Sequence, residues 1–254
     1  MLSYQHAYHA GGPADLHKHL ALAELLSLLT RKPRGISYFE THSGRGLYDL
    51  SADETAKTGE AAEGILAHSP KTGAFADALA RLRADKGETA YFGSPLLAQL
   101  LLREQDVLRL MELHPAEIKA LRRTITGAEI HHRDGYEGVL ALSPPKPRKG
   151  LVLVDPSYEV KSEYAEAADF TRKLIKKWPE AVVLIWYPIL PAARHQDLLD
   201  GLKPLRPHVD EVAFDLKGGA GMTGSGLALV NAPYGADDAL AAAFKQGQPL
   251  LRRP

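Results

Sequence analysis

The sequence contains no cysteine. This excludes a disulfide framework, thiolate zinc sites, iron–sulfur clusters and a cysteine nucleophile. Neither sign of charge is in excess, because 31 Lys and Arg balance 31 Asp and Glu. A generally basic nucleic-acid binder is thereby excluded, and any polyanionic partner must be held by a local patch. Long apolar runs are missing too. The longest, Ala181 to Tyr187, falls far short of the roughly 20 residues that span a bilayer. The opening residues, MLSYQHAYHAGG, lack a basic start followed by an apolar core, so no signal peptide is expected. A cytoplasmic location and no membrane partner are the expectation. What remains is ordinary globular composition, with 45% hydrophobic and 24% charged residues over 254 positions. A chain of that length buries roughly three quarters of its unfolded surface and needs no covalent staple.

The hydrophobic pattern alternates between helix and strand. Pro13 and Asp15 open a helix whose buried face is read from Leu16, Leu20, Ala23, Leu26 and Ser27, and Lys32-Pro33 ends it. Gly35 to Glu40 reads as a buried strand, and Thr41 to Gly46 as a glycine-bearing loop. The stretch from Tyr48 to Gly93 is polar, alanine-rich and broken by glycines; it predicts a small helical insertion with helices near 52–67 and 74–85. Strand–helix alternation then resumes, with strands at Leu108–Leu113, near Ile130, at Leu151–Asp155, Ala181–Tyr187, Glu211–Leu216 and Leu227–Asn231. The strand LVLVD has no polar face, as in a parallel sheet covered on both sides. The expectation is a doubly wound α/β domain formed by residues 1–47 and 94–254, with 48–93 as an inserted helical subdomain.

Ligands of such sheets lie outside the carboxyl ends of the strands. The residues expected there are Glu40 to Gly46, Glu112, Asp134 and Asp155-Pro156-Ser157-Tyr158. A dinucleotide fingerprint starting at Gly44 fails at its third glycine, where Asp49 stands. No phosphate-binding P-loop or G-x-S-x-G elbow occurs either. A glycine loop, acids on the next two strands and then D-P-x-Y is the order of an S-adenosylmethionine-dependent methyltransferase. The glycines let backbone approach the cofactor. Glu112 suits two ribose hydroxyls because a carboxylate only accepts hydrogen bonds, and Asp134 suits the adenine amino group. Singly, each acid reads as well as a helix cap or turn residue.

The Asp155-Pro156-Ser157-Tyr158 motif points to methylation of an exocyclic amino group. An adenine N6 lone pair is conjugated into its ring and is a poor nucleophile. The Asp155 carboxylate and the Pro156 carbonyl can each accept one N6 hydrogen and favour a tetrahedral nitrogen, with positioning and charge placement supplying most of the rate. Tyr158 can stack on an extracted base. The plain alternative is a type I turn after a strand.

MLSYQHAYHAGGPADLHKH, YFETHSGRGLYDL, GSPLLAQLLLREQD, MELHP, Asp134-Gly135, LVLVDPSYE and GMTGSGLALVNAP together resemble the RlmJ family, bacterial methyltransferases of adenine N6 in 23S ribosomal RNA. The similarity runs over nearly the whole chain at matching spacing. It implies a Rossmann-like class I methyltransferase with a helical insertion, acting as a monomer on protein-free or early-assembly 23S rRNA. It implies His19, His42, Ser94, Glu112, Asp134, Gly135 and Asp155 as cofactor contacts. Asp155 is the implied catalytic residue, flanked by Pro156 and Tyr158. Tyr4 is implied over the substrate adenine, with Lys18 as the basic residue beside it. Ser157 departs from the family's D-P-P-Y pattern, which predicts a looser turn and an altered rate.

Two further readings are a DNA adenine-N6 methyltransferase and a non-catalytic RNA-binding assembly factor. The short insertion leaves little room for a DNA-recognition domain, and Ser157 is the feature favouring lost turnover. His6, His9, His17 and His19 cluster without metal-ligand spacing, so no metal is expected. His19 with Asp15 forms an i,i+4 pair that has a purely structural reading. The basic groups, among them Arg31-Lys32-Pro33-Arg34 and Lys146/Arg148/Lys149, each read as solvated faces. The loop Gly218 to Gly226 reads equally as a flexible turn and as a flap over the substrate.

Overall fold

The structure is a computed structural model and describes residues 9–53, 55, 59–214 and 221–247. Its centre is a seven-stranded sheet in the order β5-β4-β1-β6-β7-β9-β8. These strands are β1 (Ser37–Glu40), β4 (Val107–Met111), β5 (Glu129–His131), β6 (Gly150–Val154), β7 (Val182–Ile189), β8 (His208–Ala213) and β9 (Gly224–Val230). The first five are parallel to one another, and β9 runs antiparallel between β7 and β8. The sheet reverses direction of winding at β1, where β4 lies on one side and β6 on the other. This is the switch point at which doubly wound sheets bind ligands.

Alternation along β6 assigns the two layers. Leu151 and Leu153 enter one apolar cluster with α1 (Pro13–Thr30), α4 (Ser94–Leu101) and α9 (Ala236–Gln246). Val152 and Val154 enter the other, with α6 (Gly135–Leu142), α7 (Glu163–Lys177) and α8 (His195–Leu202). Both faces of β6 are therefore covered, which is why its sequence has no polar alternation.

Helix α1 departs from the single-faced reading. It is buried on almost all sides, with Leu22, Leu25 and Leu29 enclosed as well as Leu16 and Leu20, while Ser27 is only half-buried. The cause is tertiary: α3 (Gly73–Lys86), α4 and α9 all pack on it. Burial on all sides also encloses Asp15, His17, Lys18 and His19.

Between β1 and α4 the chain forms a two-stranded antiparallel sheet, β2 (Leu47–Asp49) with β3 (Ala90–Phe92), around α3. Three-residue strands are too short to show periodicity, and the sequence does not reveal them. The helix expected over 52–67 is not continuous: among the described residues it is broken at Gly59, and Glu60–Glu63 forms a separate short helix (α2) between Gly59 and Gly64. The helix expected at 74–85 is α3. Strand β8 starts at His208, three residues ahead of the expected Glu211 start. Helix α5 (Pro115–Thr124) completes the layout.

Candidate active site

The carboxyl ends of β1, β4, β5 and β6 open onto one cavity. The β1–β2 loop forms its floor. Gly44 and Gly46 have φ of +63° and +83°, a backbone region in which a Cβ is strained. Ser43 is knitted to β4, its N–H and hydroxyl donating to the Met111 carbonyl at 3.1 and 3.0 Å. Arg45 forks onto the Glu117 carboxylate at 3.0 and 2.6 Å, which ties the loop to α5.

Glu112 follows β4. Its Oε2 accepts from Gly44 N–H and its Oε1 from His114 N–H, both at 2.7 Å. Burial pushes its carboxyl upward, and the two backbone donors pull it down less strongly. A carboxylate has about four acceptor positions, so one on each oxygen is left for a ligand.

Asp134 is the N-cap of α6 and accepts from Glu137 N–H at 2.9 Å, so the capping role weighed for a strand-end acid is present. It also lines the cavity. Gly135 allows α6 to start against the loop, since a Cβ there would overlap the carbonyl of Thr41. His42 lines the cavity with Nδ1 2.8 Å from Thr41 Oγ1 and its ring edge-on to Tyr136. Burial lowers the His42 pKa to about 4, so the imidazole is neutral near pH 7.

Lys18 and Asp155 meet at the centre. Lys18 Nζ lies 2.7 Å from Asp155 Oδ2 and 2.9 Å from Asp15 Oδ1. Burial alone would lower the lysine pKa, but the two carboxylates outweigh it and the net shift is upward, so Lys18 is a buried cation. Its Nζ also sits 5.8 Å from the centre of the Trp186 ring. Pro156 and Ser157 line the cavity. The Ser157 hydroxyl lies 3.4 Å from Glu163 Oε1, a contact that a proline in this place could not make.

Ser94 also reaches the cavity, and its hydroxyl donates to Glu40 Oε2 at 2.9 Å. Glu40 Oε1 accepts from Tyr38 at 2.6 Å. Full burial pushes the Glu40 carboxyl up to about 8, against the pull of those two hydrogen bonds and with a smaller push from Asp155.

Two expected residues stand elsewhere. His19 does not line the cavity. It is fully buried, with Nδ1 2.9 Å from the Tyr91 hydroxyl and Nε2 3.8 Å from Asp15, as the i,i+4 reading has it. Tyr158 does not line it either. Its ring packs against Tyr164 and Trp186, its hydroxyl donates to the Trp186 carbonyl at 2.7 Å, and its φ is +56°. Tyr4 lies outside the described residues, as do residues 218–220 of the glycine-rich loop.

Reading the sequence missed Tyr136 and the roles of Asp15 and Glu40. Each has a local signal: Tyr136 directly follows Asp134-Gly135, Asp15 stands one turn before Lys18, and Glu40 ends an apolar strand. Tyr136 matters for the cofactor. Its hydroxyl is buried at the cavity without a hydrogen-bond partner among the described residues. That orphaned group and the open positions on Glu112 fit a nucleoside rich in hydroxyl and amino groups. No cluster of three or more His, Asp or Glu suited to a metal occurs among the described residues.

The parallel core closed by an antiparallel β8–β9 hairpin, with its cavity at the switch point, is the Rossmann-like fold of S-adenosylmethionine-dependent methyltransferases. Within that class, residues 33–246 match the family described as ribosomal RNA large subunit methyltransferase D, RlmJ. The chain belongs to this family. It is 35% identical over 256 residues to ribosomal RNA large subunit methyltransferase J of Haemophilus influenzae, covering 92% of this chain and 88% of that protein. The protein of that name from Escherichia coli K12 is 33% identical over 247 residues, with the same 92% and 88% coverage. A crystal structure of a Legionella pneumophila protein superposes with a TM-score of 0.81 at 32% identity, over 95% of each chain. A probable spermidine synthase from Corynebacterium glutamicum has a TM-score of 0.56 at 9% identity over 96% of this chain and 76% of its own, a likeness of fold alone.

Proposed function

We propose that this protein, an S-adenosylmethionine-dependent ribosomal RNA methyltransferase, methylates the N6 amino group of an adenine in 23S rRNA. The observation that carries the reading is the convergence of Glu112, Asp134 and the Asp155-Pro156 turn on one cavity. Bound S-adenosylmethionine supplies a methyl group activated by a sulfonium and leaves as a neutral thioether. Glu112 would hold the ribose hydroxyls through its open acceptor positions, Asp134 would take the adenine amino group, and the unpaired Tyr136 hydroxyl would find its partner in the same nucleoside. Ser94, His42 and Gly135 border the same cofactor.

At the substrate, Asp155 Oδ2 is taken by Lys18 while Oδ1 accepts one N6 hydrogen, and the Pro156 carbonyl accepts the other. The nitrogen lone pair is thereby directed at the methyl group, the surplus N6 proton passes by way of Asp155 to solvent once the new N–C bond has formed, and orientation supplies much of the acceleration. Lys18 keeps a positive charge beside that carboxylate. Tyr158 acts on the turn from behind, through Trp186, and stacking on the substrate adenine falls to Tyr4. His19 supports the site by holding Asp15 and Tyr91.

The same reading takes the enzyme to be a cytoplasmic monomer working on protein-free or early-assembly rRNA, with 48–93 as an inserted subdomain. No helix among the described residues is long and apolar enough to cross a membrane. The test is methyl transfer from labelled S-adenosylmethionine to protein-free 23S rRNA, with duplex DNA in parallel, followed by nucleoside analysis. Label in N6-methyladenosine from RNA alone is expected. Label in DNA, or in another nucleoside, would overturn the reading.

A further inference from the structure

The fold joins two basic segments that are far apart in sequence. Strands β1 and β6 are adjacent and parallel, Ser37 pairing with Gly150, so the segments preceding them emerge side by side at the amino-terminal edge of the sheet. Ser37 fastens them together: its N–H donates to the Lys149 carbonyl at 2.9 Å and its hydroxyl to the Pro147 carbonyl at 2.7 Å. The turn after α1 is clamped as well. Arg103 donates to the carbonyls of Thr30, Lys32 and Arg34 at 2.6, 2.7 and 2.9 Å, while Asp106 neutralises its guanidinium.

On this braced edge Lys32, Arg34, Lys146 and Arg148 are exposed and Lys149 is half-buried. Burial lowers the Lys149 pKa, and the positive charges of Arg34 and, less strongly, Lys32 lower it further against the opposing pull of Glu180. Several basic side chains elsewhere are paired, Arg45 with Glu117, Arg109 with Glu129 and Lys173 with Asp169. In this cluster, among the described residues, Arg148 alone reaches a carboxylate, that of Glu180 at 2.8 Å. Clustered cations on a rigid edge repel one another and suit a polyanion.

The opposite end of the sheet has the reverse character, for Glu112, Glu117, Asp134, Asp155, Glu163 and Glu166 line the cavity and Lys18 is the one lysine or arginine among its described lining residues. Such a mouth repels phosphate. An RNA substrate gains its electrostatic attraction from basic groups outside this lining.

We propose that Lys32, Arg34, Lys146, Arg148 and Lys149 form a second RNA-contact surface, which grips the phosphate backbone of a segment other than the one presenting the target base. The inference rests on the rRNA substrate proposed above. Strand β6 spans the distance between the two sites, on the order of 20 Å at 3.3 Å per residue plus flanking loops. A large folded RNA can engage both sites and gains from their linkage, whereas a short hairpin reaches only the cavity. The cluster would therefore select a folded rRNA over any accessible adenine, without reading sequence.

The test uses the full chain carrying Lys32→Glu and Arg34→Glu, with the milder Lys32→Gln and Arg34→Gln pair as a second variant. Both positions are exposed and outside the cavity. Binding to protein-free 23S rRNA is measured over a salt series, alongside binding and methylation of a short hairpin cut from around the modified adenine. For the charge-reversed pair, affinity for 23S rRNA should fall at least tenfold. For the neutral pair, the slope of log affinity against log salt should flatten by about 1.4–1.8, the release expected for two phosphate contacts. Hairpin methylation and S-adenosylmethionine affinity should match the unsubstituted protein. Unchanged 23S affinity and slope would overturn the proposal, and so would an equal loss on the hairpin. Binding is read without methyl transfer. Failure of the unsubstituted enzyme to make N6-methyladenosine would therefore count against the adenine reading alone.

Discussion

Lys18 Nζ lies 2.7 Å from Asp155 Oδ2 and is simultaneously 2.9 Å from Asp15, so one buried cation joins α1 to the turn after β6. Its position is a consequence of α1 being enclosed on almost every side. Replacing it tests the network directly. Lys18→Met leaves two carboxylates facing each other across the gap, and removal of one partner from a buried charge pair costs about 3–5 kcal/mol. Urea denaturation should show a loss of that order. A loss below 1 kcal/mol would mean the carboxylates are solvated and the enclosure is not as described.

Glu112→Gln replaces one acceptor oxygen with a donor that opposes a backbone N–H. Cofactor affinity should weaken by about 1.5–3 kcal/mol, the range for hydrogen bonds to charged groups. Calorimetric titration with S-adenosylmethionine checks this, and unchanged affinity would remove Glu112 from the cofactor site.

Glu40 carries a pH signature. Its carboxyl is held near 8 in the fold against 4.5 as an ordinary value, so between those values the folded state keeps a proton that the unfolded chain has lost. Stability should therefore fall as pH rises from about 5 to 8 on account of this group. Glu40→Gln should remove that slope and be most stabilising at the alkaline end, with the Ser94 hydroxyl turning to accept. Denaturation curves at a series of pH values, compared between the two proteins, check the sign. An identical slope in both would contradict it.

Gly135→Ala should push α6 away from Thr41, because the added methyl overlaps that carbonyl. Overpacking of this kind typically costs about 1–3 kcal/mol, and cofactor affinity should fall with it, since His42 and Asp134 flank the displaced contact. Thermal unfolding with and without S-adenosylmethionine separates the two effects.

Much of this was legible in the residues. The strand leading to Asp155 was legible because β6, covered on both faces, leaves an uninterrupted apolar run that ends in a polar loop, whereas the acids at 112 and 134 could be ordered from the strand–helix alternation around them. Strands β2 and β3 were not legible, since three residues carry no period and their pairing is decided by distant chain. The same limit explains His19 and Tyr158. Their neighbours Lys18 and Ser157 line the cavity, and one residue along α1 or along the turn changes which way a side chain faces. The two basic segments looked like separate solvated faces because only the order β1-β6 brings them together.

The central claim is that Asp155 and the turn it begins present an adenine amino group to the cofactor. The most direct measurement compares Asp155→Asn with the unsubstituted enzyme on protein-free 23S rRNA, with nucleosides resolved by mass spectrometry and S-adenosylmethionine affinity measured on both. N6-methyladenosine is expected from the unsubstituted enzyme, with a fall of at least about a hundredfold in its rate of formation by the variant, as for loss of a group aimed at the reacting centre, and cofactor affinity nearly unchanged. N6-methyladenosine formed at the original rate by Asp155→Asn would contradict it.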